Sequence, residues 1–111
     1  MEDVLENSEK RIVIKFHYPD GNHILFLKLF HIQEWIDIPQ GVSFACSNRN
    51  IRTNGAGIKE ITLMRDGMHI VVYTDEVISY YFQSDFTQYD ELIEAFKRMF
   101  EAQPEVLSII D

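Results

Sequence analysis

The sequence predicts an α+β fold: an antiparallel β-sheet of about five to seven strands with one C-terminal helix packed on it. Three observations lead to this prediction. Apolar and polar residues alternate in several short runs, which is the period of half-buried strands. Asp66-Gly67 separates two of these runs and is typical of a tight hairpin turn. One apolar stripe at helical spacing follows them near the C-terminus.

The N-terminal part predicts a hairpin after an irregular start. Residues 1–10 hold four acids and no apolar run, so we expect a flexible or irregular N-terminus. Apolar residues alternate through residues 12–18, and residues 24–32 are apolar almost throughout, as in a strand covered on both faces. Pro19-Asp20-Gly21-Asn22 lies between these runs and favours a turn. The two strands should therefore pair with each other.

The middle of the chain predicts shorter elements. Residues 35–38 indicate a short strand or an extended loop that ends at Pro39, and residues 42–46 indicate another short strand. Residues 47–57 are polar and rich in Gly and Asn. We expect them to form a loop.

Residues 58–74 show the clearest hairpin pattern. With Asp66-Gly67 as the turn, apolar residues pair on one side of the hairpin. The predicted pairs are Leu63 with Ile70, and Ile61 with Val72. Residues 77–83 indicate a further strand rich in β-branched and aromatic residues. Tyr80 and Tyr81 are adjacent in it and must point to opposite faces, so we expect one of them to be exposed.

A helix is predicted over residues 87–102, with Asp85 or Thr87 as its cap. Its apolar stripe consists of Tyr89, Leu92, Ile93, Phe96, Met99 and Phe100. Its other face carries Asp90, Glu91, Glu94, Lys97, Arg98 and Glu101. Pro104 follows the helix, and residues 105–110 indicate a final strand or an apolar tail.

Length and charge limit the classes of function. The 111 residues fit a single domain over residues 1–111. Ten Lys and Arg stand against eighteen Asp and Glu, a net charge of −8. Binding to nucleic acid or to an anionic membrane needs a basic patch, so we expect neither partner. Residues 56–111 hold eleven acids and four bases, and that acidic half would attract a basic partner.

The compartment follows from cysteine usage and hydropathy. Cys46 is single and has no internal disulfide partner, which is typical of a reducing compartment. The first ten residues are acidic and have no apolar run, so we do not expect them to act as a signal peptide. The longest apolar run, Ile24-Leu25-Phe26-Leu27, is too short to span a membrane. We therefore expect a cytoplasmic protein.

No motif predicts catalysis or metal binding. His17 and His23 flank the first turn, but two histidines lack the further ligands of a metal site. A nucleophilic cysteine needs a nearby base and an electropositive setting, and we expect Cys46 to be a small strand residue instead. Asn54-Gly55-Ala56-Gly57 lacks the spacing and the Lys-Ser/Thr pair of a phosphate-binding loop. We expect no enzymatic activity, no cofactor and no metal.

The remaining candidates are carboxylates of the second half that lie on polar stretches or on the polar side of the helix. They are Asp75, Glu76, Asp85, Asp90, Glu91, Glu94 and Glu101. Two interpretations stay open for them. They form an ordinary solvated face, or they form a negative patch that contacts a basic protein partner.

Three features occur in an order that resembles a known family. Gly55-Ala56-Gly57-Ile58 is followed by the hairpin sequence from Ile61 to Ile70, ITLMRDGMHI, and then by the helix with its Leu92 to Phe100 pattern. Over about residues 24–100, the chain resembles the immunity protein 10 family of bacterial polymorphic-toxin systems. The resemblance implies a small cytoplasmic antitoxin, without enzymatic activity, that neutralises a toxin domain delivered by a sibling cell in contact-dependent growth inhibition.

The acidic charge is compatible with this function, because many such toxins are nucleases with basic substrate surfaces. An adaptor or regulatory domain that binds a host protein is the alternative, and a homodimer formed through an edge strand belongs to the same class. A small-molecule enzyme is a third hypothesis and would need a concave site with convergent polar groups.

Overall fold

A computed structural model describes residues 3–30, 42–53 and 57–110 of the chain. It confirms the α+β class: the described residues form nine strands in two sheets, mostly antiparallel, and one α-helix. The chain divides into two compact units, which we call unit 1 (residues 1–57) and unit 2 (residues 58–111). The single domain over residues 1–111 stays a prediction. No helix among the described residues is long and apolar enough to cross a membrane.

Unit 1 contains a five-stranded antiparallel sheet in which the strands follow chain order. Its strands are β1 (Val4–Asn7), β2 (Arg11–His17), β3 (His23–Leu29), β4 (Ser43–Cys46) and β5 (Ile51–Thr53). Alternate residues bury one face of the sheet, among them Ile12, Ile14, Phe16, Ile24 and Phe26. Each such side chain contributes roughly 1.5–3 kcal/mol relative to an exposed position.

The hairpin predicted around Gly21 is confirmed. β2 and β3 pair in antiparallel register from Arg11↔Leu29 to His17↔His23. Gly21 has a φ of 91°, a conformation that glycine adopts without steric cost. The backbone N–H of Asn22 donates to Oδ1 of Asp20 at 2.9 Å, which closes the turn with an Asx hydrogen bond.

Two predictions for unit 1 are wrong in part. The N-terminus is not irregular throughout, because Val4–Asn7 form β1, in which Leu5 lies opposite Ile14. Residues 47–57 are not all loop, because Ile51–Thr53 form β5 after a short 3₁₀ turn at Ser47–Arg49. Thr53 is buried and lies opposite the core residue Phe44, so this polar segment extends the sheet. Residues 35–38 lie outside the described residues.

Unit 2 contains a four-stranded sheet and the helix. Its elements are β6 (Ile58–Met64), β7 (Gly67–Val72), β8 (Val77–Tyr81), α1 (Tyr89–Met99) and β9 (Leu107–Ile110), with a 3₁₀ turn at Pro104–Val106. The strand order is β8-β7-β6-β9, and β9 runs parallel to β6. The last segment is therefore a strand, one of the two outcomes expected for residues 105–110.

The β6–β7 hairpin exists, but its register differs from the predicted one. Leu63 lies opposite Met68 and Ile61 opposite Ile70, because the turn residues are Arg65 and Asp66. Gly67 belongs to β7, where an added Cβ would collide with the carbonyl oxygen of Tyr80. The glycine thus serves close strand packing instead of the turn. The shift conserves side-chain parity, so the predicted apolar side is still the buried side.

The helix is shorter than predicted, and its predicted cap is wrong. It begins at Tyr89, with Gln88 as N-cap and no side-chain capping hydrogen bond. Asp85 and Thr87 precede it in a segment where Phe86 N–H donates to the Gln83 carbonyl. The predicted apolar stripe is confirmed at Tyr89, Leu92, Phe96 and Met99, which are buried together with Ala95, whereas Ile93 is only half-buried. Phe100 just beyond its end is buried as well.

Candidate functional site

The two units differ in net charge. Unit 1 holds seven acids and six bases, whereas unit 2 holds eleven acids and four bases. The net charge therefore changes from −1 to −7 at the boundary between residues 57 and 58. Of the ten acidic side chains of unit 2 that the structure describes, nine are exposed. All seven candidate carboxylates belong to unit 2, and six of them are exposed while Glu76 is half-buried.

The helix gathers the largest group of candidates. Asp90 and Glu94 are four residues apart and share one side of α1. Glu101 lies seven residues after Glu94, in the turn that follows the helix. From Asp90 to Glu101 this row extends roughly 16 Å at helical rise. Lys97 interrupts it three residues after Glu94, so the row is acidic but contains one cation.

The ends of α1 give these charges a second role. Asp90 and Glu91 occupy the first turn, and Lys97 and Arg98 occupy the last. Acids near a helix N-terminus and bases near its C-terminus complement the helix dipole, each by roughly 0.3–1 kcal/mol when exposed. The first-turn carboxylates therefore stabilise the helix, whether or not they also contact a partner.

Asp75 and Glu76 belong to a different part of unit 2. They lie in the turn between β7 and β8, where Asp75 has a φ of 67°. Asp tolerates this left-handed conformation better than most residues. Its Oδ1 lies 2.5 Å from the Nζ of Lys59, in an exposed ion pair. This carboxylate therefore already has a basic partner.

Asp85 lies beyond the other end of β8. The five residues of β8 separate it from the Asp75 turn, a distance of roughly 16 Å along an extended strand. The structure thus divides the candidates into three groups: Asp75 and Glu76 in the turn, Asp85 in the segment before the helix, and the remaining four on or just after α1. Of those four, Asp90, Glu94 and Glu101 share one side and form what we call the helix row, whereas Glu91 lies about a quarter turn away.

The unburied face of the second sheet carries residues that the acidic pattern did not indicate. Tyr81 is 60% exposed and Val77 is 52% exposed, both on β8. Ser79 lies between these two residues on β8, and its Oγ is 2.7 Å from His69 Nδ1. The His69 ring contacts the Tyr81 ring edge-on. Tyr80 is buried, which confirms the expectation that one of the two adjacent tyrosines is exposed. Exposed tyrosines of this kind are common in protein interfaces.

Two of the histidines, His17 and His23, lie in unit 1 together with Cys46. His17 and His23 lie opposite each other, with ring centroids 6.4 Å apart. Burial, followed by the charges of Lys15 and His17, lowers the pKa of His23. Among residues 3–30, 42–53 and 57–110, no group of three or more His, Cys, Asp or Glu side chains is arranged to hold a metal ion.

Cys46 is fully buried in β4. Its thiol donates to Oδ1 of Asn48 at 2.9 Å. Burial raises the pKa of the thiol, which disfavours the thiolate that a nucleophile requires. The geometry supports a core residue at this position.

Comparisons of the chain with protein-family models, with curated proteins and with solved structures found no match.

Proposed function

We propose that this chain is a non-enzymatic immunity protein that binds and neutralises a cognate toxin domain, a basic nuclease, in the cytoplasm. The observation that carries the proposal is the concentration of charge in unit 2, which holds eleven acids and four bases. Nine of the ten acids that the structure describes there are exposed. Nucleases hold phosphate backbones with basic surfaces. An acidic inhibitor competes for such a surface and associates rapidly through electrostatic steering.

The proposed contact surface consists of the carboxylates of unit 2: Asp75, Glu76, Asp85, Asp90, Glu91, Glu94 and Glu101. The helix row supplies its centre, because those side chains share one side of α1 and extend beyond its end. Asp75 contributes less, since Lys59 already neutralises it. The inhibitor acts by covering the substrate surface of the toxin, with carboxylates in place of phosphates.

A charge reversal tests this surface. The double variant Asp90→Lys with Glu94→Lys should lower affinity for the toxin domain encoded beside the protein at least tenfold. It should also reduce the dependence of affinity on salt. The control is Glu9→Lys with Glu60→Lys, at two exposed positions outside the proposed contact surface, which changes net charge equally and should leave affinity within about twofold. Unchanged affinity and salt dependence in the helix variant would exclude the helix row as the contact.

An adaptor domain that binds a host protein, or a homodimer formed through an edge strand, is the second candidate. β8 and β9 are the edges of the second sheet, and both carry exposed apolar side chains, Val77 and Ile110. Exposed strand edges invite pairing with another chain. Genetics separates the two functions, because loss of an immunity protein is lethal only while its toxin is present.

A further inference from the structure

A groove in unit 2 lies at the C-terminal end of α1 and along β9. Its volume is about 400 Å³, within the range of roughly 300–1,000 Å³ that ligand sites occupy. It is lined by Lys97, Phe100, Glu101, Pro104, Leu107 and Ile109. Phe100 is only 3% exposed and is therefore part of the floor. The groove is apolar inside, and its charged side chains are one base and one acid.

Strand β9 gives the groove an open backbone edge. It pairs with β6 from Ile61↔Leu107 to Met64↔Ile110. In the part of the chain that the structure describes, β9 has no strand on its other side. Leu107 and Ile109 point toward the groove because alternate residues share a face. An extended segment that pairs with such an edge places every second side chain on the groove side.

The acidic side chains around the groove favour a cationic occupant. Glu101 lines it, and Glu105 follows Pro104 in the 3₁₀ turn; both carboxylates are exposed. Unit 2 as a whole carries −7, which repels a second copy of this chain and attracts a cationic segment. Lys97 also lines the groove and contributes one positive charge.

We propose that the groove and the outer edge of β9 bind an extended segment of a basic protein partner. The segment pairs with β9 through its backbone and places an aliphatic side chain in the groove. A Lys or Arg two residues away, on the same face, meets Glu101. The basic character of the partner rests on the proposed function, whereas the groove and the strand edge do not.

A designed peptide tests the groove on the full chain. The probe is KTLTRTK, in which one face of an extended strand presents Lys, Leu, Arg and Lys; ETLTETE is the charge-reversed control. In a titration followed by ¹⁵N NMR, KTLTRTK should shift the amide signals of Leu107–Ile110 and of Phe100 and Glu101. Glu101→Lys should weaken its binding at least fivefold. Asp66→Lys makes the same charge change in the exposed β6–β7 turn, outside the proposed contact surface and the groove lining, and should weaken it less than twofold.

Several outcomes would overturn the proposal: no binding at about 1 mM peptide, equal binding of both peptides, equal effects of the two variants, or shifts confined to other residues. The proposed function fails separately. If the chain binds KTLTRTK at β9 but protects against no toxin, the groove proposal holds and the proposed immunity function is wrong. If the chain neutralises a toxin but does not bind KTLTRTK, the immunity function holds and the toxin contacts a surface other than the groove.

Discussion

The Nζ of Lys59 lies 2.5 Å from Oδ1 of Asp75, so one candidate carboxylate is paired within unit 2 itself. Both side chains are largely exposed, at 51% and 77%. An exposed pair of this kind contributes about 0–1 kcal/mol. Its main consequence is electrostatic, because the lysine cancels the charge that Asp75 would present to a partner.

Asp75→Asn should therefore change little. Asn also tolerates the left-handed backbone of this turn, so the free energy of unfolding should fall by less than about 1 kcal/mol. Urea unfolding measures this change. Lys59→Met is the companion variant, and it should raise affinity for a basic partner because it frees the carboxylate. A large loss of stability in Asp75→Asn would show that the ion pair holds the turn.

Gly67→Ala should destabilise the protein by roughly 1–3 kcal/mol, as overpacking does in a dense interior. The added methyl group would collide with the Tyr80 carbonyl oxygen and crowd Tyr81. Asp66→Ala is the control, because that exposed turn residue precedes Gly67 in the same hairpin. Thermal unfolding of both variants gives the comparison. Equal stability of the two would contradict the assignment of Gly67 to the strand.

The sequence predicted strands well where alternation is long. β2, β3, β6 and β7 each span six or seven residues with a clear apolar face. β1 and β5 have four and three residues and carry little apolar pattern of their own, so they depend on the neighbouring strand with which they pair.

The candidate site could be predicted only in part. The helix row follows from periodicity, since residues four apart share one side of a helix. The separation of Asp75 from Asp85 depends on where β8 begins and ends. The groove depends on β9 lying parallel beside β6, and no local pattern encodes that pairing. Tertiary placement therefore determines which charges act together.

Cys46 should react slowly with thiol reagents. Its side chain is fully buried, and burial raises the pKa of the thiol, so both access and thiolate content are reduced. Alkylation by iodoacetamide at about pH 8 should be at least tenfold slower in the native protein than in urea, where the pKa returns toward about 8.5. Similar rates in the two states would mean that β4 opens readily.

His23 should titrate below its ordinary pKa of 6.5. Desolvation is the main cause, and the charges of Lys15 and His17 add to it. Because the unfolded state then binds the proton more readily, this group favours the folded state above the unfolded pKa and loses that contribution as pH falls through the folded pKa. Lys15→Gln should raise the pKa of His23 partway toward 6.5 in an NMR titration. A pKa above 6.5 in the unmodified chain would contradict this account.

The most direct test of the proposed function is a tagged pull-down at low salt from the cells that make the protein, followed by mass spectrometry and quantification of the retained chains. We predict recovery of the C-terminal domain of a large secreted protein, in near-equal amount to the bait, released as salt rises because the contact is electrostatic. Recovery of a regulatory protein alone, or of no partner, would contradict the immunity function and favour the adaptor or the homodimer, between which the size of the protein in solution decides.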